Sequence, residues 1–409
     1  MKYILVIGDG MADDPIPELN ALTPLQYADI PTLDKLASAG VLGSVMTIPE
    51  GMPAGSDTAI LSIFGYDPRK YYFGRAPLEA AATGITLLPG DVAYRCNMIS
   101  IEDGDSPFEE KKILSHSAGS IEGDESDALI NDLVNTSSFK DAARQAGLEI
   151  YPGSSFRHIA RQSAPDNTGL KLTPPHDHLG EVLGQYLPCG CKNAQTLEGL
   201  MRLSYEILDN HPINIKRRSD GKLPANSIWF WAEGTAASLP NFTKKYKKTG
   251  SVISAVPLCQ GIGILIGLER ILVEGATGEL HTNYEGKVDA AISALLKKDF
   301  VAVHIEAPDE CTHNGDLKGK LQAIEWVDSR VVAPMIQRLN KSGVDFRMLV
   351  MSDHRTLSST RGHDSGLVPY VLYDSGTNKA TGLSFCESDA ERGELVDAGT
   401  DLMDLLFNG

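Results

Sequence analysis

Three short apolar runs, residues 3–7, 300–305 and 347–351, constrain this chain most. Each is rich in β-branched or large apolar side chains and lacks polar alternation, so each reads as a strand buried on both faces, the mark of a parallel sheet. Each also runs into acid: Asp9 after the first, Glu306 and Asp309 after the second, Asp353 with His354 after the third. Open α/β sheets bind ligands beyond the carboxyl ends of their strands. Three acid-tipped ends therefore predict one site assembled from both chain termini. Helix-like apolar spacing over residues 33–39 and 324–339 predicts helices covering the sheet.

The middle of the chain has a different texture. Turn-rich stretches such as "IEDGDSPFEEKK", "APDNTGLKLTPPHDHLG" and "KRRSDGKLPANS" punctuate short runs. They predict a smaller α+β domain over residues 91–248, inserted into an α/β domain made of residues 1–90 and 249–409. A length of 409 residues favours such a division over one core.

Thirty-seven basic against 54 acidic residues, a formal net charge of −17, repel nucleic acid and anionic membranes. A small anionic substrate stays compatible, because arginines or metal ions can reverse the field inside one cleft. The six cysteines form no framework, and Cys189-Gly-Cys191 is too isolated for a zinc site, so reduced thiols in a cytoplasmic protein are expected. The apolar run after Lys2 is about half the length of a secretory h-region, and no stretch approaches the roughly 18 apolar residues of a membrane span. Nothing in the sequence sets an oligomeric state.

In "EAPDECTH", Asp309 and His313 stand four apart and can share one face of a helical turn, a pattern that also serves solvated helices. In "MSDHRTLSSTRGHDS", Asp353 and His354 follow a buried strand, and His363 and Asp364 come soon after. Adjacent side chains on an extended segment point apart, which predicts service to two neighbouring ions. In "PEGMPAGSDTAILSIFGYDP", Ser56 falls at the start of a helix, where N-capping is its ordinary use. The same position exposes a hydroxyl where helix ends bind anions. A serine hydroxyl needs a base or a metal to become a nucleophile, and no Gly-x-Ser-x-Gly elbow surrounds Ser56. Metal activation fits better.

"GDGMAD", "TPLQYADIPTLDKLA", "GSDTAILSIFGYDP", "GRAPLEAA", "GDVAYRCN", "APDECTHNGD", "IEWVDSRVV" and "SDH…GHDSGLVPY" resemble the archaeal-type cofactor-independent phosphoglycerate mutases of the alkaline phosphatase superfamily. The likeness spans nearly the whole chain. It implies an α/β fold with an alkaline phosphatase-like, mostly parallel sheet, helices on both faces and an inserted lid. It implies two divalent ions, one held by Asp9, Ser56, Asp353 and His354, the other by Asp309, His313 and His363. Mixed carboxylate and imidazole ligands suit manganese or zinc better than magnesium. Ser56 would accept a phosphoryl group from a small phosphorylated acid and return it to another hydroxyl, interconverting 3-phosphoglycerate and 2-phosphoglycerate. Arg157 and His158 match a family Arg-His segment near the substrate, with Arg161, Arg217 and Arg218 behind them as further candidates to grip carboxylate and phosphate. His176 and His178 of "HDH" read as turn histidines.

Two departures open an alternative. "PANSIWFWAEG" stands where these mutases carry an arginine-glycine stretch, and Gln260 stands where a lysine is expected. "WFWAEG", "EGMPAGSD" and "EAPDE" resemble a bacterial offshoot proposed to act as a homoserine kinase. There Glu233 would suit a substrate ammonium, and Trp229 or Trp231 would add a cation–π contact. A plain phosphohydrolase would share the core with an open, wet site. A non-catalytic metal-binding module would not need Ser56.

Overall fold

The computed structural model describes residues 1–409 apart from Ser154, Ala237 and Asn378. The chain divides into two compact units, Met1–Tyr72 with Ser238–Gly409, and the inserted Phe73–Ala237. In chain order the strands are β1 (Lys2–Gly8), β2 (Val41–Val45), β3 (Val92–Ile101), β4 (Ile113–Ser115), β5 (Leu148–Tyr151), β6 (Arg157–Gln162), β7 (Ser227–Thr235), β8 (Gly250–Ile253), β9 (Glu269–Ile271), β10 (Phe300–Ile305), β11 (Phe346–Ser352), β12 (Arg355–Leu357), β13 (Gly362–Asp364), β14 (Val368–Asp374) and β15 (Glu394–Val396).

The first unit is built on an 8-stranded sheet of order β15-β2-β14-β11-β1-β10-β8-β9. Only β14 runs against the others. The three apolar runs become β1, β10 and β11, side by side at the sheet centre, and β1 is buried from Tyr3 to Gly8. Each fully buried Val, Leu or Ile there contributes about 1.5–3 kcal/mol, which is why these segments lack a polar face. Ile4 and Val6 face a core shared with Tyr284, Val288, Val327, Val331 and Met335. On the other face the helix Leu402–Asn408 sets Phe407 edge-on to Tyr3, ring centroids 5.0 Å apart.

The two helical spacings hold, with one addition. Residues 33–39 lie in the helix Pro31–Ala39. Residues 324–339 run through Leu317–Trp326 and Ala333–Ser342, joined by a π turn over Val327–Val332. Buried Asp328 in that turn accepts the Leu33 backbone N–H at 2.6 Å, capping from outside a helix whose own cap residue, Ile30, has no side-chain acceptor.

The inserted unit has a 5-stranded antiparallel sheet around β3, which pairs with β6, β7 and β4, while β5 borders β6. Tyr94, Cys96, Ala160 and Phe230 face a core filled by Leu129, Leu133, Phe139, Leu197 and Met201. Against the other face the helix Arg75–Ala82 packs Ala76 and Ala80 on Ala93 and Ile159. That packing draws residues 73–90 into the inserted unit, ahead of the boundary expected at residue 91. The unit ends at residue 237 rather than 248.

Candidate active site

The paired registers bring three strand ends to one line: Gly8 lies opposite Ile305 of β10 and Ser352 of β11. The next residues are Asp9, Glu306 and Asp353. Gly10 sits at φ +61, and a Cβ there would stand 2.3 Å from Thr356 Oγ1 and 2.8 Å from Asp309 Oδ1. Only glycine lets the backbone pass this close to the acids. Its N–H donates to Asp353 Oδ1 at 3.1 Å.

Around this line seven side chains from distant parts of the chain converge. Asp309, on the helix Ala307–His313, has Oδ2 at 3.1 Å from His313 Nε2 and Oδ1 at 3.4 Å from His363 Nε2. The two imidazole Nε2 atoms are 2.9 Å apart. His313 Nδ1 donates to the Arg361 carbonyl at 2.8 Å, which leaves a neutral ring's lone pair on Nε2, aimed at the same point as the carboxylate. His354 Nε2 lies 3.3 Å from Asp9 Oδ1, 3.4 Å from Asp353 Oδ2 and 3.1 Å from Ser56 Oγ. Ser56 Oγ is also 3.4 Å from Asp9 Oδ2. Ligand atoms of Asp309, His313 and His363, of Asp9, Asp309 and His354, and of Asp9, His304 and Asp353 each fall within 4.8 Å of one another.

The electrostatics are those of a cage short of positive charge. Asp9, Asp353 and His354 are fully buried, and Asp9 Oδ1 and Asp353 Oδ2 have no hydrogen-bond partner among the described residues. Burial, then repulsion from Asp353, Asp309 and Glu306, raises the Asp9 carboxyl well above the usual range. Burial lifts Glu306 to about 8. Asp309 goes the other way: burial opposes its charge, but hydrogen bonds from His313 and His363 hold it well below the usual range. In turn the hydrogen bond to Asp309 lifts His313 to about 9. Orphaned anionic oxygens among imidazole nitrogens are a donor set for divalent cations, whose binding displaces the protons these groups otherwise take up. The residues present fit divalent metal binding.

Two local expectations are corrected. Ser56 is the first helical residue, after Gly55 at the cap position, and its hydroxyl caps nothing; it turns toward Asp9 and His354. Asp353 and His354 converge rather than diverge, because β11 ends at Ser352 and the chain bends through both residues before β12.

The inserted unit treats the other candidates unevenly. Arg217 is buried and committed, with Nη1 to Glu125 at 2.6 Å, Nη2 to the Ala118 carbonyl at 3.0 Å and Nε to the Leu223 carbonyl at 2.9 Å. Arg218 is tied to Asp103 and Asp209. Both guanidinium groups hold the insertion together, which corrects their expected substrate role. Arg161 pairs with Asp91 at 2.6 Å. His158 is buried, accepts the Gly153 N–H on Nδ1 at 3.0 Å and lies on the opposite strand face from exposed Arg157. Arg157 shares its face with Arg95, its pairing neighbour's neighbour on β3, whose guanidinium lies 4.3 Å over the Trp231 ring. His176 and His116 stand nearby, 5.1 Å from Trp231 and 5.8 Å from each other's rings respectively.

Sequence reading missed Arg95, His116 and His304. Arg95 carried a signal, a charge inside the apolar strand Val92–Ile101. His304 carried a similar one, a polar ring in "FVAVHI".

A mostly parallel sheet whose carboxyl edge carries a carboxylate–imidazole cage around a serine hydroxyl defines an α/β protein with a candidate metal-binding centre. The family profile described as 2,3-bisphosphoglycerate-independent phosphoglycerate mutase matches residues 37–214. A Methanosarcina acetivorans protein of that name is 45% identical over 390 residues, covering 95% of both chains. A Geobacter sulfurreducens protein named a probable mutase of this kind is 42% identical over 414 residues, covering 100% of both. Among solved structures, a Pyrococcus horikoshii protein gives a TM-score of 0.81 at 30% identity, covering 100% of this chain and 96% of that one. The cofactor-independent phosphoglycerate mutase of Thermoplasma acidophilum gives 0.65 at 26% identity, covering 99% of both. The chain belongs to the 2,3-bisphosphoglycerate-independent phosphoglycerate mutase family.

Proposed function

We propose that this chain interconverts 3-phosphoglycerate and 2-phosphoglycerate through a phosphoserine on Ser56. The observation that carries the reading is the placement of Ser56 Oγ, 3.1 Å from His354 Nε2 and 3.4 Å from Asp9 Oδ2, inside the set of converging ligand atoms. Asp9, Asp353 and His354 with Ser56 would hold one ion; Asp309, His313 and His363 would hold the other. Manganese or zinc suits this mixed nitrogen and oxygen set. When bound, the ions supply the positive charge that favours the ionised hydroxyl and offsets charge building on the phosphoryl oxygens.

The serine oxygen forms a bond to phosphorus as the bond from phosphorus to the substrate oxygen breaks, and the departing hydroxyl takes back a proton. The reverse step on the neighbouring hydroxyl yields the isomer. The Nδ1 of His354 faces the Arg355 carbonyl at 3.3 Å, which keeps the one lone pair of Nε2 for the ion beside the serine. Within the inserted unit, Arg157, Arg95, His116 and His176 gather on one sheet face. Burial, then the nearby His176, Arg157 and Arg95, lowers His116. That grouping supports a grip on carboxylate and phosphate oxygens, with Arg157 in the leading role and Arg95 beside it paired to Glu79 at 3.0 Å.

The homoserine kinase alternative loses support at the tryptophans. Trp229 is buried with Nε1 on the Thr173 carbonyl, and the Trp231 face that would meet a substrate ammonium already carries Arg95. The described residues include no helix long and apolar enough to cross a membrane, and a cytoplasmic place accords with the six unpaired cysteines.

Manganese-loaded protein assayed on 3-phosphoglycerate should yield 2-phosphoglycerate without released inorganic phosphate. Turnover of homoserine with a phosphoryl donor instead would favour the kinase. Inorganic phosphate as the main product would favour a hydrolase.

A further inference from the structure

His304 lies in the middle of the buried strand β10, outside the seven proposed site residues, yet its Nε2 is 2.9 Å from Asp9 Oδ2. With Asp9 and Asp353 it forms a group that could itself hold a metal. The hydrogen-bond directions argue for a different role. The Val256 backbone N–H donates to Ser254 Oγ at 3.0 Å, so the serine proton is free to point elsewhere. Ser254 Oγ lies 3.1 Å from His304 Nδ1. A carboxylate oxygen accepts and cannot donate, so the ring nitrogen facing Asp9 carries the proton. Nδ1 of the neutral ring is then the acceptor for the serine hydroxyl.

We infer that His304 is a positioning residue: the relay from Val256 N–H through Ser254 and His304 fixes one oxygen of Asp9 and leaves the other, Oδ1, free to serve a cation. The ends of the relay are anchored. Buried Lys287 donates to the His304 carbonyl at 3.0 Å, and Gln260 Nε2 donates to the Ser254 carbonyl at 2.8 Å. Gln260 thus has a structural task where a lysine was expected. Asp9 Oδ1, the oxygen the relay leaves alone, is the one with no hydrogen-bond partner. Partners of this kind typically change metal affinity by about 10–100-fold when removed.

The inference rests on the two-ion reading, and titration of free manganese(II) by electron paramagnetic resonance against the full chain separates the two. Wild type should bind two equivalents; if it binds none, the two-ion reading itself fails. His304→Gln keeps an N–H near the Nε2 position but is a poor ligand, and should hold both ions within about threefold of wild type. His304→Phe removes the donor and should weaken one of the two sites by about 10–100-fold while the other stays unchanged. Equal losses in both variants would make His304 a direct ligand and overturn the inference; so would unchanged binding in His304→Phe. Should His304→Phe fail to fold, Ser254→Ala breaks the relay one link earlier. It should weaken the same site and let the ring tautomer, read by nitrogen-15 NMR, depart from Nε2–H. An unshifted tautomer with wild-type affinity would overturn the inference equally.

Discussion

Asp9 and Asp13 leave the same loop, are both buried, and are treated in opposite ways. Asp13 meets a cation the chain supplies: Lys320 Nζ at 2.8 Å, with Ser358 Oγ at 2.6 Å and the Ser358 and Asp14 backbone N–H groups completing its shell. Asp9 meets His304 on one oxygen and leaves the other without a donor, while Asp353, Asp309 and Glu306 repel it. A buried carboxylate with a lysine is finished structure. A buried carboxylate among other acids and imidazoles costs stability until a cation arrives, and such a cost is retained where a cation has work to do. His158 is a third solution, burial without a charged partner, in which the group gives up its charge.

The largest effect expected from this contrast is on chemistry alone. Ser56→Ala should lower phosphoryl transfer by about ten-thousandfold or more, while metal stays bound through Asp9, Asp353 and His354 at saturating concentration and the melting temperature stays near wild type, since the Asp13 corner is intact. Rapid-quench detection of phosphoenzyme in wild type and its absence in the variant checks the assignment. Substantial residual turnover would remove the serine from the mechanism. Next in size is the Asp13 corner. Lys320→Met strips the charge from a fully buried pair and should cost about 3–5 kcal/mol in urea unfolding, with part of it recovered in Lys320→Met/Asp13→Leu. If the single variant also empties the metal sites, the two corners are one network, joined through Thr356, whose carbonyl accepts from Lys320 and whose hydroxyl donates to Asp309.

How far the sequence displayed this contrast differs by level. β1, β10 and β11 were legible because burial on both faces forces an unbroken apolar run, and their acid tips marked the site edge. The reversed direction of β14 was not, since a strand's own residues do not state its neighbour's polarity. Asp9, Asp353 and His354 stood out as polar residues after buried strands, Asp309 and His313 as a pair four apart, His363 in the polar segment that follows, and Ser56 at a helix start; their grouping as ligands came with the family resemblance. The bend that makes Asp353 and His354 converge was invisible, because period-two reasoning assumes the strand continues. Arg217 and Arg218 were misjudged because an arginine pair reads the same whether its partner is a metabolite or, as here, Glu125 and Asp103. Lys320 gave no sign: nothing local distinguishes a lysine buried against Asp13 from one on a solvated helix.

Metal removal sharpens the contrast further. Ions that bind only the folded chain stabilise it by about 4 kcal/mol at a concentration a thousandfold above Kd, and chelation should return that amount as a fall in unfolding free energy. The shift should disappear in Asp9→Asn if the ion at Asp9 carries it, and persist in Lys320→Met. A metal response unaltered by Asp9→Asn would place the ion elsewhere and dissolve the comparison between the two aspartates.

The smallest effect belongs to His158. Burial pushes its imidazole down from 6.5 to about 4, outweighing the smaller opposing effect of the hydrogen bond with Gly153. The folded value lies below the unfolded one, so between these limits the unfolded chain binds more protons. The associated stability is present above pH 6.5 and is lost as pH falls toward 4, by at most about 3 kcal/mol at about 1.4 kcal/mol per unit. His158→Asn keeps an acceptor for Gly153 without a titrating ring. Compared at matched pH in the presence of chelator, so that ion release is excluded, the variant should show a flatter loss of unfolding free energy across this window. An identical slope in both proteins would mean that His158 reaches solvent or a partner in the folded chain, and that burial alone does not hold it neutral.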